Sequence, residues 1–156
     1  MADKRTWLDG PNIPGENDFD TPGKWPGERL GLPEKGTGAL APVSRRAFAI
    51  LIDWIACMLL ASTIAHFTDL LGGAAFLGYL LWAVVGVIGG WLFARTPGMA
   101  LLGMGIARLD EPGAPVGLWR AIVRTGLTSF LFPAALVDMD GRGMHDRATG
   151  TVVIYA

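Results

Sequence analysis

As a pattern of apolar and polar positions, the chain changes character near residue 43. Before it, apolar residues are scattered and build no face. After it come two long apolar runs. The first, about Ala47 to Phe67, holds 21 residues, enough to cross a hydrocarbon core of roughly 30 Å as a helix. The second, "AAFLGYLLWAVVGVIGGWLF" from Ala74, has 20 residues without a charge and predicts a helix over about 74–94. A third stretch, Leu118 to Val137, is less regular: Arg120 and Arg124 occupy its first turns and Pro133 interrupts its far end. Its charge-free part, between Arg124 and Asp138, is about 13 residues long, fewer than a full crossing needs. It either spans or dips in and returns, and the return is favoured because the segments on either side then meet.

Those flanking segments read as strands. "TPG" (Thr96 to Gly98) ends the second helix, since Pro97 keeps the preceding residue out of helical geometry and Gly98 tolerates a turn. A short strand is predicted over Gly105 to Leu109, followed by a "DEPG" turn. The β-branched run "GTVVIY", Gly150 to Tyr155, predicts another. Each is too short to stand alone, so the two are expected to pair. The fold class is therefore an all-α integral membrane protein: two transmembrane helices, a third spanning or re-entrant hydrophobic helix, and a small cytoplasmic strand pair.

Residues 1–43 are expected to form a disordered tail, with 44–156 as the membrane domain. Residues 1–42 contain six prolines and seven glycines, a composition that buries too little apolar surface to offset the entropy of ordering. The N-terminus lacks the apolar core of a cleavable signal peptide, which leaves targeting to the first internal helix.

Composition supports a membrane setting. Hydrophobic residues make up 51% and charged residues 17%, and mean hydropathy is +0.40. A net charge of −1 offers nothing to nucleic acid. From residue 43 onward there are eight arginines and no lysine, which suits pairing near lipid. Arginines precede the first run and follow the second and third, while His66 to Gly73 between the first two carry none. The positive-inside rule then puts the N-terminus in the cytoplasm. The single cysteine, Cys57, allows no intrachain disulfide.

The chemistry centres on Asp53, an acid inside the first run, seven residues beyond Arg46. Helical geometry puts the two on one stripe, about 10 Å apart along the axis. An Asp at the centre of a membrane helix costs about 2.5–3.5 kcal/mol. Arg124 is the expected partner, because each burial then offsets the other. Asp53 is read either as a structural member of that pair or as an ionisable site that loads and unloads. Gly78, Gly86 and Gly90 lie on one face of the second helix and include a GxxxG spacing, a surface for close helix approach.

These residues together resemble the RDD family of small bacterial membrane proteins, named for one arginine and two aspartates. The resemblance covers about residues 43–156. The family arginine matches Arg46 in "RRAFAILID", its first aspartate Asp53, and its second Asp110 in "GIARLDEPGAP". The "TPG" turn, the "LWRAIVR" opening of the third segment and the terminal "RGMHDRATGTVV" also correspond, although Met99 stands where a basic residue is usual. The resemblance implies a multi-pass protein of the bacterial cell membrane, proposed to take part in transport of an undefined ligand, with Arg46, Asp53, Asp110 and Arg124 as ligand or ion-site candidates.

In "MHDRATG", His145, Asp146 and Arg147 form no nucleophile or metal motif. With Pro97 and Gly98 they are read as structural, Asp146 pairing with an arginine such as Arg124 or Arg142. No metal, cofactor or enzymatic activity is expected. Two functions remain open. The leading one is ion- or small-ligand transport with Asp53 as the ionisable site, which demands a homo-oligomer because two spans enclose no pathway. The other is a non-transporting assembly or interaction subunit whose Asp and Arg groups hold helices together and whose glycine face and tail bind another membrane protein.

Overall fold

The computed structural model describes residues 24–68, 72–130 and 142–156. Two long helices, α1 (Val43–Phe67) and α2 (Ala74–Leu92), form a hairpin. After α2 come a short helix α3 (Pro97–Leu101), strand β1 (Met104–Arg108), helix α4 (Leu118–Ser129), a short helix α5 (Met144–Thr149) and strand β2 (Thr151–Tyr155).

Among the described residues, α1 and α2 are the two helices long and apolar enough to cross a membrane. Only 22% and 28% of their most apolar stretches are buried within the chain, unlike the core helices of a water-soluble fold. The residues α1 does bury, Arg46, Ala49, Asp53, Cys57 and Ala61, recur every three or four positions and mark a single inward stripe. Helix α1 begins four residues before the predicted Ala47. Pro42, extended at φ −67° and ψ 150°, is its N-cap, and the first N–H groups of any helix need no partner within it.

The glycine face of α2 is used inside the chain. Gly78 lies against Met58 and Ala61 of α1, while Gly86 and Gly90 lie against Thr125 and Ala121 of α4. Those glycines let both neighbours approach α2 closely.

The predicted strands pair. β1 and β2 are antiparallel, with Met104 opposite Tyr155 and Arg108 opposite Thr151. Gly150, at φ 62°, closes α5 and turns the chain directly into β2. The expected disordered tail lies outside the described residues as far as residue 23, but its last part is built into the sheet. Gly38 N–H donates to Tyr155 O at 2.8 Å, Ala41 N–H to Val153 O at 3.0 Å, and Tyr155 N–H to Ala39 O at 2.9 Å. Residues 38–41 thus cover the open edge of β2, whose unpaired backbone groups outweigh the Pro/Gly composition. Ala41, Ala49, Met99, Met104, Ile106, Val116 and Val153 form the small apolar core beneath this sheet.

The third hydrophobic segment is a 12-residue helix, α4, ending at Ser129; its predicted continuation to Val137 lies outside the described residues. The strands stand at the end of the hairpin where α1 begins, since Leu40 bridges Ile154 and Arg46 reaches α5. The chain after α4 therefore returns to its starting end. The polarity of α4 is inverted. Its inward face carries Ala121, Arg124 and Thr125, whereas Leu118, Trp119, Ile122 and Phe130 point outward, Trp119 being 74% and Phe130 76% exposed.

Candidate functional site

The site grows from α5. Asp146 is fully buried and its carboxylate serves two arginines. Arg46 Nη1 donates to Oδ2 at 3.3 Å, and Arg124 Nη1 donates to Oδ1. The Thr151 hydroxyl also donates to Oδ1 at 3.3 Å. Arg46 and Arg124 are each 6% exposed, so three charged groups are closed away together. Such a cluster costs desolvation, and it persists only where geometry and further hydrogen bonds compensate.

Those further bonds are present. Arg46 Nε donates to Ala41 O at 2.9 Å, which ties the start of α1 to the segment covering β2. Arg124 Nη1 also donates to the Thr151 hydroxyl at 3.2 Å. Arg142 Nη2 donates to the carbonyls of Asp146 and Thr151, both at 3.2 Å. Thr149 donates to His145 O at 2.8 Å, and Arg120 Nε to Thr149 O at 3.0 Å. His145 Nε2 lies 3.6 Å from Asp146 Oδ1. Asp146 thereby joins α1, α4, α5 and β2 at a single carboxylate.

The expected Asp53–Arg124 pair does not form. Arg124 turns to Asp146 because the return of the chain through α5 delivers a carboxylate directly to it. Asp53 takes a different partner: its Oδ1 accepts the Gly98 N–H at 2.6 Å. Gly98 lies in the first turn of α3, where backbone N–H groups have no partner within the helix and attract negative charge. Thr96 caps the same turn by accepting Met99 N–H at 3.3 Å, with Pro97 at the first helical position. The contact also explains the glycine. A Cβ on Gly98 would collide with Ala49 O and fall 3.0 Å from Asp53 Cγ.

Asp110, the second aspartate of the motif, stands apart from this core. It is exposed on the turn after β1 and accepts from Arg108 at 3.0 and 2.6 Å and from Arg120 at 2.8 Å. The Arg108 hydrogen bonds, then the Arg108 and Arg120 charges, outweigh desolvation and lower its carboxyl from 3.8 to about 2. A depressed carboxyl contributes stability that is complete above its unfolded value and is lost as pH falls through the folded one. Melting of Asp110→Asn beside the parent chain is expected to show a constant small deficit from about pH 5 to 8, and the two curves should converge below about pH 2. Arg147 is exposed beside the cluster.

The structure thus gathers Arg46, Arg124, His145 and Asp146, keeps Asp53 close to them, and separates Asp110. Arg46, Asp53, Arg124 and His145 all line one cavity of about 240 Å³, with Thr96 and Trp82 also on its wall. Among the described residues no group of three or more His, Cys, Asp or Glu side chains is placed to hold a metal ion. Thr96, Thr149 and Thr151 are members of the site that the sequence does not single out. Only the first carries a local signal, the helix-start signature Thr-Pro-Gly. Comparison with family profiles, with characterised proteins and with solved structures finds no match to this chain.

Proposed function

We propose that the protein is an RDD-type integral membrane protein of a bacterial cell membrane. Its α1–α2 hairpin crosses the bilayer, and its N-terminal end and strands lie on the cytoplasmic side. Four things support this: the exposed apolar surface of both helices, the outward apolar face of α4, the shared end at which residues 38–41, the start of α1 and β2 meet, and the arginines gathered there. In water α4 would be inside out. In lipid its outward Leu, Trp, Ile and Phe side chains are solvated and its arginines are sheltered.

Within that setting the charged motif acts as a lock that holds the membrane hairpin to a cytoplasmic cap, and the protein serves as an assembly or interaction subunit. The observation that carries this reading is the closure of Arg46 and Arg124 on one buried carboxylate, Asp146. Asp53 repeats the principle one layer deeper by fixing α3 to α1.

Transport of an ion or small ligand is the second reading. It is favoured by the cavity that Asp53 shares with Arg46 and Arg124, and it requires a homo-oligomer. Two substitutions separate the readings. Asparagine at 53 can still accept the Gly98 N–H, whereas alanine cannot. The lock predicts that Asp53→Asn melts within about 1 kcal/mol of the parent and that Asp53→Ala loses about 1–3 kcal/mol, the cost of a donor left unsatisfied. Proton or cation flux into proteoliposomes that vanishes in Asp53→Asn, with melting unchanged, would establish transport instead.

A further inference from the structure

We propose that the groove between α1 and α4 seats one acyl chain of an anionic phospholipid, whose phosphate is met by Arg124. The proposal rests on the membrane setting above. It begins from the donors of Arg124. Among the described residues its guanidinium meets protein partners through Nη1 alone, on Asp146 and Thr151. Nε and Nη2 remain on a side chain more than nine-tenths buried that borders the 240 Å³ cavity. Arg46 borders the same cavity, and the two guanidiniums share the one Asp146 carboxylate. Arg124 thus presents N–H donors to the cavity of the kind that meet phosphate, for which the guanidinium fork is well shaped.

The rest of the groove suits hydrocarbon. A second cavity, of about 340 Å³, adjoins the first and shares Ala47, Ile50, Trp82 and Thr128 with it. It extends to Leu51, Trp54 and Tyr79. From Arg46 to Trp54 is eight residues, about 12 Å further along α1. Two hydroxyls on the α4 wall are engaged by their own helix. Thr128 donates to Arg124 O at 2.8 Å and Ser129 to Thr125 O at 2.9 Å. The wall thus offers methyl, methylene and ring surface beneath the Arg124 donors, which is the polarity of a phospholipid lying head outward.

Asp53 sets the depth of the head. It faces the same cavity two turns below Arg46 and opposes an anion at its own level, so the phosphate belongs at the arginines and the chain passes Asp53. That carboxylate is already engaged by Gly98. The flanking surfaces, Leu51 and Trp54 on α1, Ile122 on α4 and Phe130 at its C-cap, are exposed, so the groove opens sideways to the bilayer.

The test uses the full chain purified in detergent and followed by native mass spectrometry with added phosphatidylglycerol or phosphatidylcholine. The parent protein is expected to retain one phosphatidylglycerol at least 10-fold more readily than phosphatidylcholine. Ala47→Phe, which fills the part of the groove common to both cavities, is expected to lose that retention while melting with the parent. Leu60→Phe, on the exposed side of α1, is expected to keep it. Equal retention of both lipids, or retention surviving Ala47→Phe, overturns the proposal. Displacement of the lipid by inorganic phosphate alone overturns it in favour of a soluble anion. Alkaline carbonate extraction of the membranes tests the setting separately. A chain released by carbonate defeats the membrane reading itself, whereas a chain that stays embedded yet retains no phosphatidylglycerol defeats only the lipid seat.

Discussion

Asp146→Asn is expected to be among the most damaging single substitutions in the chain. It preserves shape and removes the one charge that Arg46 and Arg124 share. Two buried guanidiniums then face each other without the carboxylate between them, and breaking a buried pair in this way costs about 3–5 kcal/mol. Melting in detergent should drop sharply, and the amount of protein recovered from membranes should fall with it. The effect should be electrostatic rather than a matter of packing. A triple replacement, Arg46→Met with Arg124→Met and Asp146→Leu, removes every charge at similar volume. It is expected to recover much of the loss, as apolar replacement of buried ion clusters often does. An Asp146→Asn protein melting with the parent would mean that the carboxylate is not the lock.

Gly98→Ala is expected to have the second-largest effect. The added Cβ has nowhere to go, because the atoms it would strike are the backbone of α1 and the Asp53 carboxyl group. Relief requires α3 to move off α1, and that lengthens the 2.6 Å hydrogen bond to Asp53. Overpacking of this kind costs about 1–3 kcal/mol, and weakening a bond to a charged acceptor adds to it, for a total on the order of 3 kcal/mol. Gly126→Ala is the internal control. Gly126 lies inside α4 with nothing within 4 Å of an added Cβ, so alanine there should be neutral or stabilising by up to about 1 kcal/mol. Thermal melts of the two variants in one detergent check both outcomes. Equal melting of the two would show that the approach of α3 to α1 is looser than the geometry requires.

The same close approach answers why an acid is kept in an apolar helix. Asp53 stays because it ends a different element. The first turn of α3 has N–H groups to satisfy, and in an apolar setting a carboxylate from a neighbouring helix satisfies them better than distant water. The cluster around Asp146 follows the same logic with arginines as donors. Buried charge is here a means of fixing one layer on another.

Much of the architecture is legible in the sequence. The apolar runs of α1 and α2 give themselves away because helix length and hydropathy are local quantities, fixed by about twenty consecutive residues. The β1–β2 pair is also readable, since two short strand segments, one of them a β-branched run, have few other ways to satisfy their backbones. Arg46, Asp53, Arg124 and Asp146 can all be singled out, because a charge beside or within an apolar run is conspicuous without any coordinates.

What the chain alone determined is therefore which segments are apolar, which residues carry charge among them, and that those charges need partners. Which partner each one takes was decided only by tertiary structure. Nothing in the order of residues favours Asp146 over Asp53 as the acid for Arg124. Folding brings α5 across α1 and α4, and a separation of 22 residues becomes a hydrogen bond. Ordering of residues 38–41 was likewise invisible, because their partner is the open edge of β2, more than a hundred residues away. Composition reports the cost of ordering a segment, and only the fold reports what that ordering gains.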